Sequence, residues 1–345
     1  MSLLDFNEFK WRAMTAAINQ IIPAPRLLQD LIFRNRNSQA ADHIDVDVVV
    51  GGKKILPFVS PIQGGVVVDK LGRYTRSVIA PRLRPKKPFS AQELLTTRAT
   101  GSNFYVSGAG DLNKYRQEKV GRELQDLRNR IDTTIEWMCA QALTGSLSYD
   151  GESIAFAVDY QMPDANKPTL LTTARWGESA ADILGNLDDW GDIIINSVGM
   201  GPTIGILGKT AAKKLRADTT IKDLLDNRRT NLGSTVWRVG NNYIGNLNGI
   251  DFYRYGNEYT DLNDEDQNFI ADNVCILVAP QARFSIEFAQ IIDLDAGANV
   301  VGEYFSKSWL EKDPSQLWIL AESRPLPVPW QPEAIVYATV CASAG

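Results

Sequence analysis

The sequence predicts an α+β fold: a long helix and a set of late strands form one body, and a smaller α/β unit is inserted between them. Three observations predict it. Residues 113 to 143 carry an unbroken amphipathic pattern. Helical and strand-like runs alternate from about Ser179 to the turn signal Asn248-Gly249. Runs of β-formers return after Pro280 and continue to Val340.

Residues 1 to about 45 read as short helical pieces broken by Pro23 and Pro25. Leu27, Leu28, Leu31, Ile32 and Phe33 form an apolar stripe at helical spacing. Such a stripe must lie on something, either its own domain or a neighbouring molecule. Asp45 to Val50 reads as a strand. From residue 64 to 100, glycines, a β-prone run and the cluster from Pro81 to Pro88 follow one another. Prolines suit edge strands and extended arms, not central strands. This segment reads as a long two-stranded excursion with a mobile tip. From Asp69 to Pro88 it holds Arg73, Arg76, Arg82, Arg84, Lys86 and Lys87, opposed only by Asp69. The plain reading is a solvated charged face. The sharper reading is a contact with an acidic surface on another subunit.

In the stretch from 113 to 143, Val120, Leu124, Leu127, Ile131, Ile135, Met138 and Ala142 recur at spacings of four and three. Arg116, Glu118, Lys119, Arg122, Glu123, Asp126, Arg128 and Arg130 fill the other face. About thirty residues at 1.5 Å rise make a helix roughly 45 Å long, far beyond the usual length. It predicts the spine of an elongated domain. Beyond it, Ala181 to Ser197 reads as a helix, Thr203 to Leu207 as a buried strand, and Thr210 to Ala217 as another helix. Asn248-Gly249 between apolar runs signals a tight hairpin. Phe284, Ile286 and Phe288 alternate with Ser285 and Glu287, and strands at Trp318 to Leu320 and Ile335 to Val340 follow. The expectation is that these late strands all return to the sheet beside the long helix.

Composition excludes several classes. The 345 residues include 36 Lys and Arg against 41 Asp and Glu, a net charge of −5. A protein that grips nucleic acid through its backbone carries a basic surplus, which is missing here. Cys139, Cys275 and Cys341 are far apart and odd in number, so no disulfide framework or zinc site is expected. The single histidine, His43, reads as a surface or strand-edge residue and rules out most catalytic dyads and triads. No signal-peptide core and no run of about eighteen apolar residues occurs, which points to the cytoplasm and away from a membrane.

The motif candidates are weak. Gly205-Ile206-Leu207-Gly208-Lys209-Thr210 follows a strand and opens a helix, as a phosphate loop would. Its first glycine belongs at position 203, where Thr203 stands, so a plain strand–turn–helix is expected. Asp261 to Asp266 lacks the glycine a calcium loop needs at its sixth position and reads as an acidic turn. Asp293 and Asp295 lie in a strand-like stretch with no acid-base partner nearby in sequence. No metal, cofactor or catalytic site is expected.

The order reached is arm, basic extended loop, long helix, inserted unit, returning strands. It resembles the major capsid fold of tailed phages, the Hong Kong 97 type. Several stretches are similar to the lambda major capsid protein (capsid E) family. They are Pro25 to Arg34, Phe58-Val59-Ser60-Pro61-Ile62, Gln281-Ala282-Arg283 with Asp293-Leu294-Asp295-Ala296, Trp309, Asp313-Pro314, Pro325 and the final strand. The resemblance is thinnest between about 144 and 250.

It implies an N-terminal arm at 1–52 and an extended loop at 53–112. It implies a peripheral domain with the spine helix at 113–165 and 281–345, and an axial domain at 166–280. It also implies a subunit that assembles with itself into hexamers and pentamers of an icosahedral head. Portal, scaffold and decoration proteins would be further partners, and packaged double-stranded DNA would be touched only non-specifically. Arg73, Arg76, Arg82, Arg84, Lys86, Lys87, Leu27, Leu31 and Phe33 are then the candidate intersubunit contacts. Two alternatives stay open: an encapsulin-like cargo compartment, and a nucleotide-binding enzyme using the loop at Gly205.

Overall fold

The computed structural model describes residues 10–21, 26–50, 72–90, 93, 109–150, 155–222 and 242–342. The chain forms two units, each drawn from three separate stretches. The first takes Met1–Ile44, Ile79–Cys139 and Ile286–Pro327. The second takes Asp45–Val78, Ala140–Ser285 and Val328–Gly345.

The first unit begins with helices α1 (Trp11–Gln20) and α2 (Leu27–Leu31). Helix α1 buries Met14 and Ile18. Leu28, Ile32 and Phe33 are also buried, so the apolar stripe packs on its own chain. The long helix α3 runs over Ala109–Ala142, 34 residues, four residues earlier than the sequence pattern begins. Val120, Leu124, Leu127, Ile131, Ile135 and Met138 are all buried, as their spacing requires.

Three antiparallel strands follow the order Phe305–Glu311, Gln316–Glu322, Lys86–Ser90. Trp309 faces Trp318 across the first pair, and Trp318 faces Pro88 across the second. The segment around Lys86 is therefore an edge strand of a sheet, where prolines are tolerated. That corrects its reading as part of a mobile tip. A two-stranded ribbon pairs His43–Val50 with Gly72–Ile79. Of the expected extended loop at 53–112, residues 53–71, 91–92 and 94–108 lie outside the described residues. His43 is exposed at the ribbon's first position, as expected.

The second unit is built on a five-stranded sheet ordered Ile335–Thr339, Val274–Val278, Ile204–Leu207, Ile250–Arg254, Tyr243–Leu247. Ile204–Leu207 runs parallel to Ile250–Arg254; the other neighbours are antiparallel. Cys275 to Val278 are fully buried, the unbroken apolar run of a strand covered on both faces. Asn248 (φ 51°) and Gly249 (φ 84°) make the hairpin turn that their dipeptide predicts.

Helix α4 (Ile183–Val198) buries Leu187, Trp190 and Ile194. Asp182 caps its start, accepting from the Gly185 amide at 2.9 Å. Gly199, in the left-handed region at φ 79°, ends it. Helix α5 (Lys209–Ala217) buries Ala211, Ala212 and Leu215.

One topological expectation is overturned. The strand Ile335–Thr339 does not join the sheet beside the long helix. It pairs antiparallel with Val274–Val278 and closes one edge of the second unit's sheet. Val336 lies opposite Leu277, and both are fully buried. The late strands thus divide between the units, a choice that their shared β-propensity could not reveal.

Candidate assembly surfaces

The basic segment is the first candidate. From Arg82 to Pro88 exposure alternates: Arg82, Arg84, Lys86 and Pro88 are exposed, while the residues between them turn inward. Extended backbone imposes that period of two. The cations are not waiting for a partner. The Arg82 guanidinium forks onto Glu322, with Nη2 donating to Oε2 at 3.0 Å. Arg84 Nε lies 3.1 Å from Glu322 Oε2, and Arg84 Nη2 lies 3.5 Å from Asp293.

Glu322 is fully buried and Asp293 nearly so. Lys307 bridges Asp293, at 2.8 Å, and Asp295. The two aspartates therefore do have basic partners, brought from 12 and 14 residues away. Lys86 sits 4.7 Å above the Trp318 ring, which stacks on Trp309 at 6.0 Å and 9°. Lys87 bridges Glu123, at 2.7 Å, and Asp126 on α3. That hydrogen bond holds the Asp126 carboxyl below the usual carboxylate range.

Where the sequence suggested a solvated face or an acidic surface on another subunit, Arg82, Arg84, Lys86 and Lys87 thus already meet partners on their own chain. Their acidic partners lie far along the sequence, up to 240 residues away, beyond the reach of local pattern. Arg73 and Arg76 fall in the strand Gly72–Ile79, but their side chains lie outside the described residues.

The arm is the second candidate. Its anchor was missed. Arg128, Asp132 and Glu136 lie one turn apart on α3 and are buried beside the apolar stripe. The sequence reading placed Arg128 on the solvent face. Instead it donates to the carbonyls of Ile18 and Ile21 where α1 ends. Those carbonyls have no partner within the helix, so the guanidinium satisfies them.

Glu136 accepts from the backbone amides of Leu28, at 2.9 Å, and Gln29. Gln29 Nε2 donates to the Asp132 carbonyl at 3.0 Å. The Tyr304 hydroxyl donates to Asp132, and burial pushes that hydroxyl's pKa up. The signal available in sequence was the Arg–Asp–Glu series at four-residue spacing, running alongside the apolar stripe of an amphipathic helix. Of the arm's three named contacts, Phe33 is fully enclosed by its own chain, while Leu27 and Leu31 are half-buried.

The loop at Gly205 is explained by packing. A side chain at Gly205 would meet the Phe252 ring, and one at Gly208 would meet the backbone of Ala271 and Asp272. The amides of Thr210 and Ala211 both donate to the Asp272 carbonyl at 3.0 Å. The groups that would cradle a phosphate are already bonded, so the motif's geometry does not support a nucleotide site. The Asp261 carboxylate accepts from the amides of Asn263, at 2.8 Å, and Glu265, at 3.0 Å, so the acidic run is a self-bonded hairpin turn.

Comparison with known proteins accounts for nearly the whole chain. Residues 10–340 match the model of a family described as phage major capsid protein E. The major capsid protein of Escherichia phage lambda is 24% identical, over 94% of this chain and 96% of its own. That of Enterobacteria phage P21 is 21% identical, over 96% and 99%. A crystal structure of a prophage protein of Escherichia coli CFT073, described as a capsid protein, superposes with a TM-score of 0.72. Its identity is 18%, over 96% of this chain and 99% of that one.

Proposed function

The chain belongs to the phage major capsid protein E family, and on that premise we propose that its copies close as hexamers and pentamers into an icosahedral head around double-stranded DNA. The protein is a major capsid protein of a phage head, and its place is the virion capsid. The observation that carries the finer reading is the length of the match: sequence likeness to two phage head proteins runs almost end to end. The fold we infer is of the Hong Kong 97 type. In it, 1–52 acts as arm, 53–112 as extended loop save the sheet strand Lys86–Ser90, 113–165 with 281–345 as peripheral domain save the strand Ile335–Thr339, and 166–280 as axial domain, whose sheet that last strand joins. The net charge of −5 supports an inner surface that confines DNA without gripping it.

Assembly takes place in the host cytoplasm in this reading, with portal, scaffold and decoration proteins as further partners. The role is structural rather than enzymatic. Leu27 and Leu31 remain proposed contacts with a neighbouring subunit, and so do Arg73 and Arg76. Arg82, Arg84 and Lys86 contribute through the part of each side chain left exposed beyond its own ion pair or ring contact. Negative-stain electron microscopy of the purified full chain tests the proposal. Closed shells or capsomer rings are expected; a protein that sediments as a monomer at every concentration and salt condition refutes it.

A further inference from the structure

The second unit carries two helix faces of opposite charge, and neither is explained by the fold. Helix α4 holds Asp188, Asp189 and Asp192 and has no Lys or Arg anywhere in Ile183–Val198. Asp188, Asp192 and Ile195 are spaced i, i+4, i+7, so they form one stripe along the helix. All three are exposed, and Ile195 stays 45% exposed despite its apolar side chain. Helix α5 holds Lys209, Lys213, Lys214 and Arg216 and has no Asp or Glu in Lys209–Ala217. Lys209, Lys213 and Arg216 repeat the same i, i+4, i+7 spacing, opposite the buried Ala211, Ala212 and Leu215. Among the described residues Lys209 pairs with Glu258, while Asp189, Asp192 and Lys213 make no ion pair.

Solvation alone does not call for this segregation, because a surface that only needs to be soluble mixes both signs. The helix dipole does not call for it either. Cations in the last turn of α5 are favoured by its C-terminus, but the carboxylate of Asp192, in the second half of α4, gains nothing there.

Asp188 accepts from Asn248 Nδ2 at 3.3 Å and Lys209 pairs with Glu258, but Asp192 and Lys213 are left without an ion pair among the described residues; a single chain that bears two such complementary faces is built for a head-to-tail contact, in which one face of each copy meets the other face of the next. We infer that the Asp188–Asp192–Ile195 face of α4 docks on the Lys213–Arg216 face of α5 in a second copy of this chain, and that this contact repeats around the hexamer and pentamer rings. Each exposed pair is weak. Five or six copies of the contact in a closed ring add up, and complementary charge fixes the orientation and speeds the encounter of subunits. The inference rests on the reading that the chain closes into such rings.

The test uses the full chain. D188K/D192K and K213E/R216E are each expected to lower shell yield at least tenfold near 0.1 M salt, where exposed charges are screened within about 10 Å. The combined charge-exchanged variant should recover at least half of the wild-type yield. The substituted side chains are exposed, so circular dichroism should show each variant folded. A cysteine pair, D192C/K213C, reads the contact itself, because Cys139, Cys275 and Cys341 are all buried. Oxidised shells of this variant should run on a non-reducing gel as a ladder ending at pentamer and hexamer.

Reversal variants that assemble like wild type, or D192C/K213C shells that oxidise to monomers only, overturn the inference while the assembly reading stands. Wild-type protein that never forms shells overturns the assembly reading instead.

Discussion

Removing both arginines that face Glu322 should destabilise the subunit itself, before any question of assembly arises. Glu322 is 0% exposed, and its carboxylate meets Arg82 through a two-point fork and Arg84 Nε at 3.1 Å. Arg82→Ala alone leaves Arg84 in place, so the loss is that of charge-assisted hydrogen bonds, about 1.5–3 kcal/mol. R82A/R84A leaves a buried carboxylate with neither partner, for which about 3–5 kcal/mol is the usual range. The arginine side chains are 43% and 39% exposed, so water softens the loss and the lower end, about 3 kcal/mol, is expected here.

Adding Glu322→Gln removes the stranded charge and should restore more than half of that loss. Urea titration followed by tryptophan fluorescence reads the effect. Trp318 and Trp309 lie in the three-stranded sheet whose edge strand, Lys86–Ser90, directly follows the two arginines, and report on it. If R82A/R84A unfolds within about 0.5 kcal/mol of wild type, the size of an ordinary surface change, the ion pairs do not hold the strand and the reasoning fails.

Three further outcomes follow from the packing. Leu127→Ala, at a site only 1% exposed on α3, should cost about 2–5 kcal/mol in thermal or urea unfolding. Cys139, Cys275 and Cys341 are buried and their thiol pKa values are raised by that burial, so Ellman's reagent should label none of them until the protein is unfolded. Asp126 has a folded pKa below its ordinary 3.8 because Lys87 hydrogen-bonds it. Its stabilisation is therefore present above that ordinary value and is lost as the pH falls through the folded one. Lys87→Met should lower the urea midpoint near neutral pH, and the gap to wild type should close in acid.

What could be read in advance divides along a physical line. The long helix, the Asn248-Gly249 hairpin and the buried strand at Ile204 are each encoded within a few residues of themselves, in periodicity or turn chemistry. The basic segment failed because Arg82 and Arg84 meet Glu322 and Asp293, more than two hundred residues away, and Lys87 meets Glu123 and Asp126, 36 and 39 away, and no local pattern contains an ion pair of that reach. Arg128 failed for a related reason. A charge on an amphipathic helix is normally solvated, and only the packed arm reveals the helix end that it caps. The destination of Ile335–Thr339 was open because either sheet would accept a β-branched strand. The family resemblance rested on the order of short stretches along the chain, and the family itself is shown by the match over residues 10–340.

Each unit draws on stretches that lie before residue 80 and after residue 285, with a middle stretch between them. During synthesis no nascent fragment that stops before Pro327 therefore holds either unit entire. The five-stranded sheet lacks its edge strand until Ile335–Thr339 has left the ribosome, and Lys86–Ser90 has no ladder partner until Gln316–Glu322 has done so. Domains ordinarily fold as units while the chain emerges; here both must wait for almost the same moment. A chain ended before Pro327 can complete neither body, and one ended between there and Ile335–Thr339 completes only the first. The threading of the chain in this way makes nearly full length a condition for both bodies at once.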